Sequence, residues 1–179
     1  MRWEVGNGVV ELVTGDITQE QTDAIVNAAN GRLLPGGGVC GAIHRAAGPE
    51  LARDCARIGG CPTGEVRVTP GFNLQAKYVF HAVGPVYHGN PGDEIMLASC
   101  YREALREAER MGLKSISFPA ISTGIFGYPI KEAARVALRT IIEFLRQSQA
   151  GLGVRMVLFS SPDYEVHARV LRDLQHGIS

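Results

Sequence analysis

The chain has 179 residues, 45% of them hydrophobic, and its 18 basic side chains are balanced by 18 acidic ones. That length buries a full core and favours one domain over residues 1–179; the cancelled charge excludes the one-signed field of a nucleic-acid sleeve. No apolar run nears the ~20 residues of a membrane helix, so no membrane partner is expected. The N-terminus, Met1-Arg2-Trp3-Glu4-Val5, carries no apolar signal region, which makes a cytoplasmic location the expectation. Cys40, Cys55, Cys61 and Cys100 form no Cys-x-x-Cys pair and are expected as reduced thiols, not a zinc ribbon or a redox couple.

In chain order, Val9 to Val13 reads as a strand and Ala24-Ile25-Val26 as a buried one, with Thr18-x-x-Gln21 between them in the pattern of a capping box that opens a helix. Val39 to Ala47 then reads as a helix stopped by Gly48-Pro49, and Pro49 to Ile58 restarts one with proline in its first turn. Alternating Glu65 to Thr69 and apolar Tyr78-Val79-Phe80 are the next strands. Leu97, Cys100, Tyr101, Ala104, Leu105 and Ala108 recur at helical spacing, as do Ile130, Ala134, Ala137, Leu138, Ile141 and Leu145. Between those helices Ser115 to Ile121 is a strand. After them comes a near-continuous apolar strand, Val154 to Phe159, and a helix from Pro162 to about Gln175. Alternating strands and helices predict a mainly parallel sheet covered on both faces.

Ligands of such sheets sit beyond the carboxyl ends of the strands. Four turns fall there: Gly15-Asp16-Ile17; the glycine-rich run Asn30 to His44; Ser122 to Pro129; and Phe159 with the serines after it. Bare N–H groups at a helix start, approached through glycines without Cβ atoms, form an anion site. A Gly-Gly-Gly run by itself also suits a flexible loop. Gly36, Gly38 and Gly41 satisfy G-x-G-x-x-G, but Gly31 to Pro35 separate them from the strand, and the acidic residue of a dinucleotide fold is misplaced, so nicotinamide-dependent oxidoreduction is disfavoured. Ser122-Thr123-Gly124 makes a second oxyanion cradle opposite the first, and two cradles suit a diphosphate. Asp16 either receives an exocyclic amine such as adenine's or caps the turn near Thr18. Phe126 and Phe159 are either core residues or ligand platforms.

Gly15-Asp16-Ile17-Thr18, Asp23 to Asn30, the glycine run with Ala42 to Gly48, Gly60 to Glu65, Tyr78 to Pro85 and Pro119 to Pro129 together resemble the macrodomain family, in particular its MacroD-type branch. The resemblance covers nearly the whole chain. It implies a three-layer α/β/α sandwich around a mixed, mainly parallel sheet, with a cleft for ADP-ribose or an ADP-ribosylated protein. By match to the family's motifs, Asp16 receives the adenine amino group, the Ile17 backbone addresses the ring and Phe159 stacks on it. Gly36, Gly37, Gly38 and Val39 wrap the diphosphate from one side; Ser122, Thr123, Gly124, Ile125 and Phe126 wrap it from the other. Asn30 holds the distal ribose, and Phe126 covers it.

Many members of the family hydrolyse a bond at the distal ribose, releasing ADP-ribose from acidic side chains or deacetylating O-acetyl-ADP-ribose; others only bind. The MacroD-type branch usually carries aspartate after Gly-Gly-Gly-Val, where this chain has Cys40. A free thiol is ordinarily uncharged near neutral pH and substitutes poorly for a carboxylate that orients ribose or water. His44, four residues on and on the same predicted face, either shares in proton transfer or hydrogen-bonds within the core. Cys40 and His44 are too few for a zinc site, and the further Cys and His residues of zinc-dependent macrodomains are missing, so no metal or cofactor is expected. The expectation is a metal-independent mono-ADP-ribosyl ester or O-acetyl-ADP-ribose hydrolase with Asn30, Cys40 and His44 as candidate catalytic groups; the alternative is a non-catalytic reader of ADP-ribose.

Overall fold

The computed structural model describes residues 1–178. The elements are β1 (Arg2–Val5), β2 (Gly8–Thr14), a 3-10 turn (Ile17–Gln19), β3 (Ala24–Ala29), α1 (Gly38–Ala47), α2 (Pro49–Ile58), β4 (Val66–Pro70) and β5 (Tyr78–Val83), followed by α3 (Pro91–Arg110), β6 (Ser115–Phe118), α4 (Ile130–Gln147), β7 (Gly153–Leu158) and α5 (Ser161–Gln175). The strands form one sheet in the order β1-β2-β7-β6-β3-β5-β4. Its two outer pairings are antiparallel and the four inner ones parallel, giving the expected mixed, mainly parallel sheet.

Because successive strand residues point to opposite faces, the sheet feeds two cores, one on each face. Val10, Leu12, Ala24, Val26, Phe80, Ile116, Phe118, Val154 and Met156 pack on one face against Leu97 and Tyr101 of α3, Leu138 and Ile141 of α4 and Leu171 of α5. Ile25, Ala29, Val79, Val83 and Val157 face the other way, onto Ile43 and Ala47 of α1 and Leu51 and Cys55 of α2. Each buried Leu, Ile or Phe contributes about 1.5–3 kcal/mol, so both helix layers are clamped to the sheet, and the three-layer sandwich follows. Among the described residues no helix is long and apolar enough to cross a membrane.

Parallel pairing brings the carboxyl ends of β2, β7, β6, β3 and β5 to one edge, at Thr14, Leu158, Phe118, Ala29 and Val83. The β3–β6 ladder consists of Ala24 opposite Ile116 and Ile25 opposite Ser117 and then stops. β3 runs on to Ala29 with only β5 beside it, so the sheet opens at this point into a crevice between the loops that follow β3 and β6.

Several local expectations are corrected. Thr18 to Gln21 opens no helix: the Asp16 carboxylate caps a single 3-10 turn through the Thr18 N–H (2.9 Å), and Glu20 is already extended. The strand read over Ser115 to Ile121 ends at Phe118, before Pro119, which lacks an N–H, and Ser122, whose φ is +68°. β3 extends past Val26 through buried Asn27 to Ala29. The last strand ends at Leu158, leaving Phe159 outside it. Arg2–Val5 is a further edge strand.

Candidate ligand-binding site

The loop after β3 is built on one side chain. Asn30 Oδ1 accepts the N–H groups of Arg32 (3.2 Å) and Leu34 (3.0 Å), and its Nδ2 donates to the Leu34 carbonyl (2.8 Å). These bonds replace backbone pairing that an irregular segment lacks; they also hold Leu33 at φ +58°, with its side chain buried. The chain then passes through exposed Gly36 and Gly37 into α1. Gly41 N–H donates to Gly37 O (3.1 Å), and a Cβ on Gly41 would lie 2.4 Å from the Gly36 carbonyl, so only glycine lets the loop fold back on the helix. The start of α1 has no side-chain cap. The N–H groups of Gly38, Val39 and Cys40 precede the first intrahelical bond and are left as donors at the positive end of the helix.

Across the crevice the loop after β6 closes on itself. Thr123 Oγ1 donates to Ala120 O (2.8 Å), Gly127 N–H to Gly124 O (3.0 Å) and Tyr128 N–H to Ser122 O (2.9 Å). Ser122 is buried at positive φ, and its Oγ has no partner among the described residues. The N–H groups of Gly124, Ile125 and Phe126 likewise make no backbone hydrogen bond there. Ile125 is wholly exposed and Phe126 half-buried. Two rows of N–H groups without a backbone partner among the described residues thus flank the crevice, and no lysine lies in either loop.

At the β2–β7 side, Gly15 N–H donates to Leu158 O (2.9 Å), which sets Phe159 beside Gly15, Asp16 and Ile17. Ile17 is buried; Phe159 is 83% exposed, so the ring is no core residue. Asp16 Oδ1 takes both Thr18 bonds, from its N–H (2.9 Å) and its hydroxyl (2.7 Å), while Oδ2 accepts nothing among the described residues. Asp16 therefore caps the turn and still has an acceptor free, and the two readings of it are compatible.

Cys40 is buried beneath the glycine loop: its thiol donates to Leu34 O (3.7 Å), and Asn27 Nδ2 lies 3.7 Å from Sγ. Asn27 Nδ2 also reaches His81 Nδ1 (3.1 Å), and His81 Nε2 lies 3.0 Å from Thr69 Oγ1. With Asn27 donating, Nδ1 is the acceptor and the imidazole proton sits on Nε2, pointing at Thr69. Burial, reinforced by nearby His44, pushes the His81 pKa down to about 4, so this ring is neutral at physiological pH. His44, half-buried one turn beyond Cys40, is lowered by burial too, and its Nδ1 has no partner among the described residues. It sits near His81 within the α1–sheet layer, below the row of N–H donors. Among the described residues no three His, Cys, Asp or Glu side chains are grouped as metal ligands.

Sequence reading assigned no role in the site to the loop after β5. A Cβ on Gly84 would lie 2.2 Å from Ser122 Oγ, and the Tyr87 N–H donates to Phe126 O (2.9 Å). The visible signals were Gly84-Pro85 directly after a strand and Asn90-Pro91-x-Asp93, a helix-start pattern.

A family profile described as the Macro domain matches residues 26–137. The "ADP-ribose glycohydrolase MACROD2" of Xenopus laevis is 47% identical over 176 residues, which span 95% of this chain and 42% of that protein. A macrodomain of Oceanobacillus iheyensis solved with ADP superimposes with a TM-score of 0.96 at 48% identity, covering 99% of this chain and 97% of the other. The Trypanosoma brucei macrodomain solved in complex with ADP-ribose gives 0.86 at 45% identity, with 90% and 68% coverage. With a sheet, a crevice and loops that match from end to end, the chain belongs to the macrodomain family.

Proposed function

We propose that the crevice binds ADP-ribose and that the protein hydrolyses mono-ADP-ribosyl esters on acidic side chains, or O-acetyl-ADP-ribose, without a metal or other cofactor. The observation that carries the binding is the pair of N–H rows left without backbone partners, Gly38 to Cys40 and Gly124 to Phe126, on the loops that follow β3 and β6, together with the exposed Phe159 ring at the end of β7. Donors fixed in advance and aimed at one place stabilise an anion without reorganising. Adenine stacks on Phe159 with its amino group on Asp16 Oδ2 and its ring edge on the Ile17 backbone. The diphosphate lies between the rows, and the distal ribose reaches Asn30 and Phe126. Asn30 Nδ2 keeps a second proton for a ribose hydroxyl while the first holds Leu34.

In the hydrolysis of a mono-ADP-ribosyl ester, water forms a bond to the anomeric carbon, the ester C–O bond there breaks, and the carboxylate leaves with the electron pair. In O-acetyl-ADP-ribose the water instead adds to the acetyl carbon, whose bond to the ribose oxygen breaks, the ribose oxygen keeping the electron pair and taking a proton. The proton from water passes to an oxygen of the bound diphosphate, the nearest anion in the proposed pose. Positioning of this kind supplies several kcal/mol of the barrier. The second reading, a non-catalytic reader of ADP-ribosylated proteins, is favoured by one observation: Cys40 puts a thiol bonded to Leu34 O where a carboxylate is usual in the MacroD-type branch. A time course of ADP-ribose release from protein modified on glutamate separates the two. Release by wild type that falls in Asn30→Ala supports the hydrolase; binding without release supports the reader.

A further inference from the structure

The loop between β5 and α3 contributes none of the residues assigned to the ligand, yet it holds the phosphate loop at two points. At its start, Gly84 lies so close under Ser122 that any side chain there would strike Oγ. Further along, the Tyr87 N–H donates to Phe126 O (2.9 Å), and the Tyr87 ring packs 4.8 Å from that of Tyr128. The loop is in turn gathered by one carboxylate. Buried Asp93 Oδ2 accepts the N–H groups of His88 (2.8 Å), Gly89 (2.8 Å) and Asn90 (3.3 Å). These bonds, that from His88 foremost, hold the Asp93 carboxyl below its ordinary range, so the anchor is charged at neutral pH. Three consecutive donors on one charged acceptor leave the loop little freedom.

We propose that Asp93 is a positioning residue for the ribose end of the cleft: by fixing residues 88–90 it fixes the Tyr87 N–H, which fixes Phe126 through its carbonyl. The inference rests on the ADP-ribose reading of the cleft. It assigns a different consequence to each end of the ligand, since the adenine end, at Asp16, Ile17 and Phe159, belongs to β2 and β7 and is untouched by this loop. ADP lacks the distal ribose and meets Phe126 only through its N–H in the diphosphate row, so it is less sensitive to Asp93 than ADP-ribose, which also meets the Phe126 ring.

Calorimetric titration of wild type and Asp93→Asn with both nucleotides tests this. The expected result is an ADP-ribose affinity lower by about threefold to tenfold, the worth of one weakened hydrogen bond, with ADP affinity within about twofold of wild type. Retained ADP affinity is also the control for folding. Equal losses for both ligands, or no loss for either, overturn the role of Asp93. Wild type that binds neither nucleotide overturns the ADP-ribose reading itself. Hydrogen exchange on the unaltered protein reads the same link: the Tyr87 amide gains more protection from ADP-ribose than from ADP, and equal protection overturns the proposal.

Discussion

Phe159→Ala removes an aromatic ring that is 83% exposed and lies outside both hydrophobic cores. Truncation of a surface side chain away from structural features changes stability within about 0.5 kcal/mol, which is about 1–2 °C in Tm for a chain of this size. Loss of a stacked base, by contrast, costs about 1–3 kcal/mol, or about fivefold to 150-fold in Kd. Because ADP and ADP-ribose share the adenine, both affinities fall by the same factor. Thermal melts and calorimetric titrations on one preparation separate the two effects. Unchanged affinity for ADP would refute the stacking role of Phe159. A large drop in Tm would instead place the ring in the core and contradict its exposure.

Gly84→Ala sets a methyl group 2.2 Å from Ser122 Oγ and 2.6 Å from Ile121 Cγ2, so the phosphate loop shifts and affinity for ADP and ADP-ribose falls together; adding Ser122→Ala restores part of it, and titrations showing no loss would refute the contact. Acid sensitivity follows from His81: its pKa is about 4 in the fold and near 6.5 in the unfolded chain, which therefore binds the extra proton. The stability it preserves is complete above pH 6.5 and is lost as pH falls from 6.5 to 4, by about 3 kcal/mol. Urea unfolding across that range should show a shallower acid loss in His81→Gln; an identical slope in the variant contradicts a neutral buried imidazole. Cys40→Asp buries a carboxylate within reach of the Leu34 carbonyl, lowering Tm by several degrees; if a carboxylate limits the chemistry, its rate of ADP-ribose release rises above wild type. An unchanged rate assigns the thiol to packing.

The turns of the cleft were legible because glycines, Asp16 and Phe159 stand where apolar strand patterns stop, and a strand end is a local signal. Less accessible was whatever depends on two distant segments meeting. Asn27 and His81 are opposite one another only because β3 pairs with β5 in that register, so a polar pair inside the sheet shortened the sequence reading of β3 at Val26. Gly84 has a reason to be glycine only once Ser122 is folded over it. The false helix at Thr18 arose from a real local pattern that the Asp16 carboxylate captures two residues earlier. Arg2–Val5 is too short for periodicity to register, and its pairing with β2 defines it. Family resemblance supplied the roles along the cleft that spacing alone left open, including the split between an adenine end and a ribose end.

The central claim is that the two rows of N–H donors and the aromatic groups at either end recognise ADP-ribose as a whole. Side-by-side calorimetric titration of the unaltered protein with ADP-ribose and NAD tests it most directly, since the two share the ADP part and differ at the anomeric carbon beside Asn30 and Phe126. The account predicts that ADP-ribose binds with a clear preference over NAD. Equal binding of the two, or no binding of either, would contradict it.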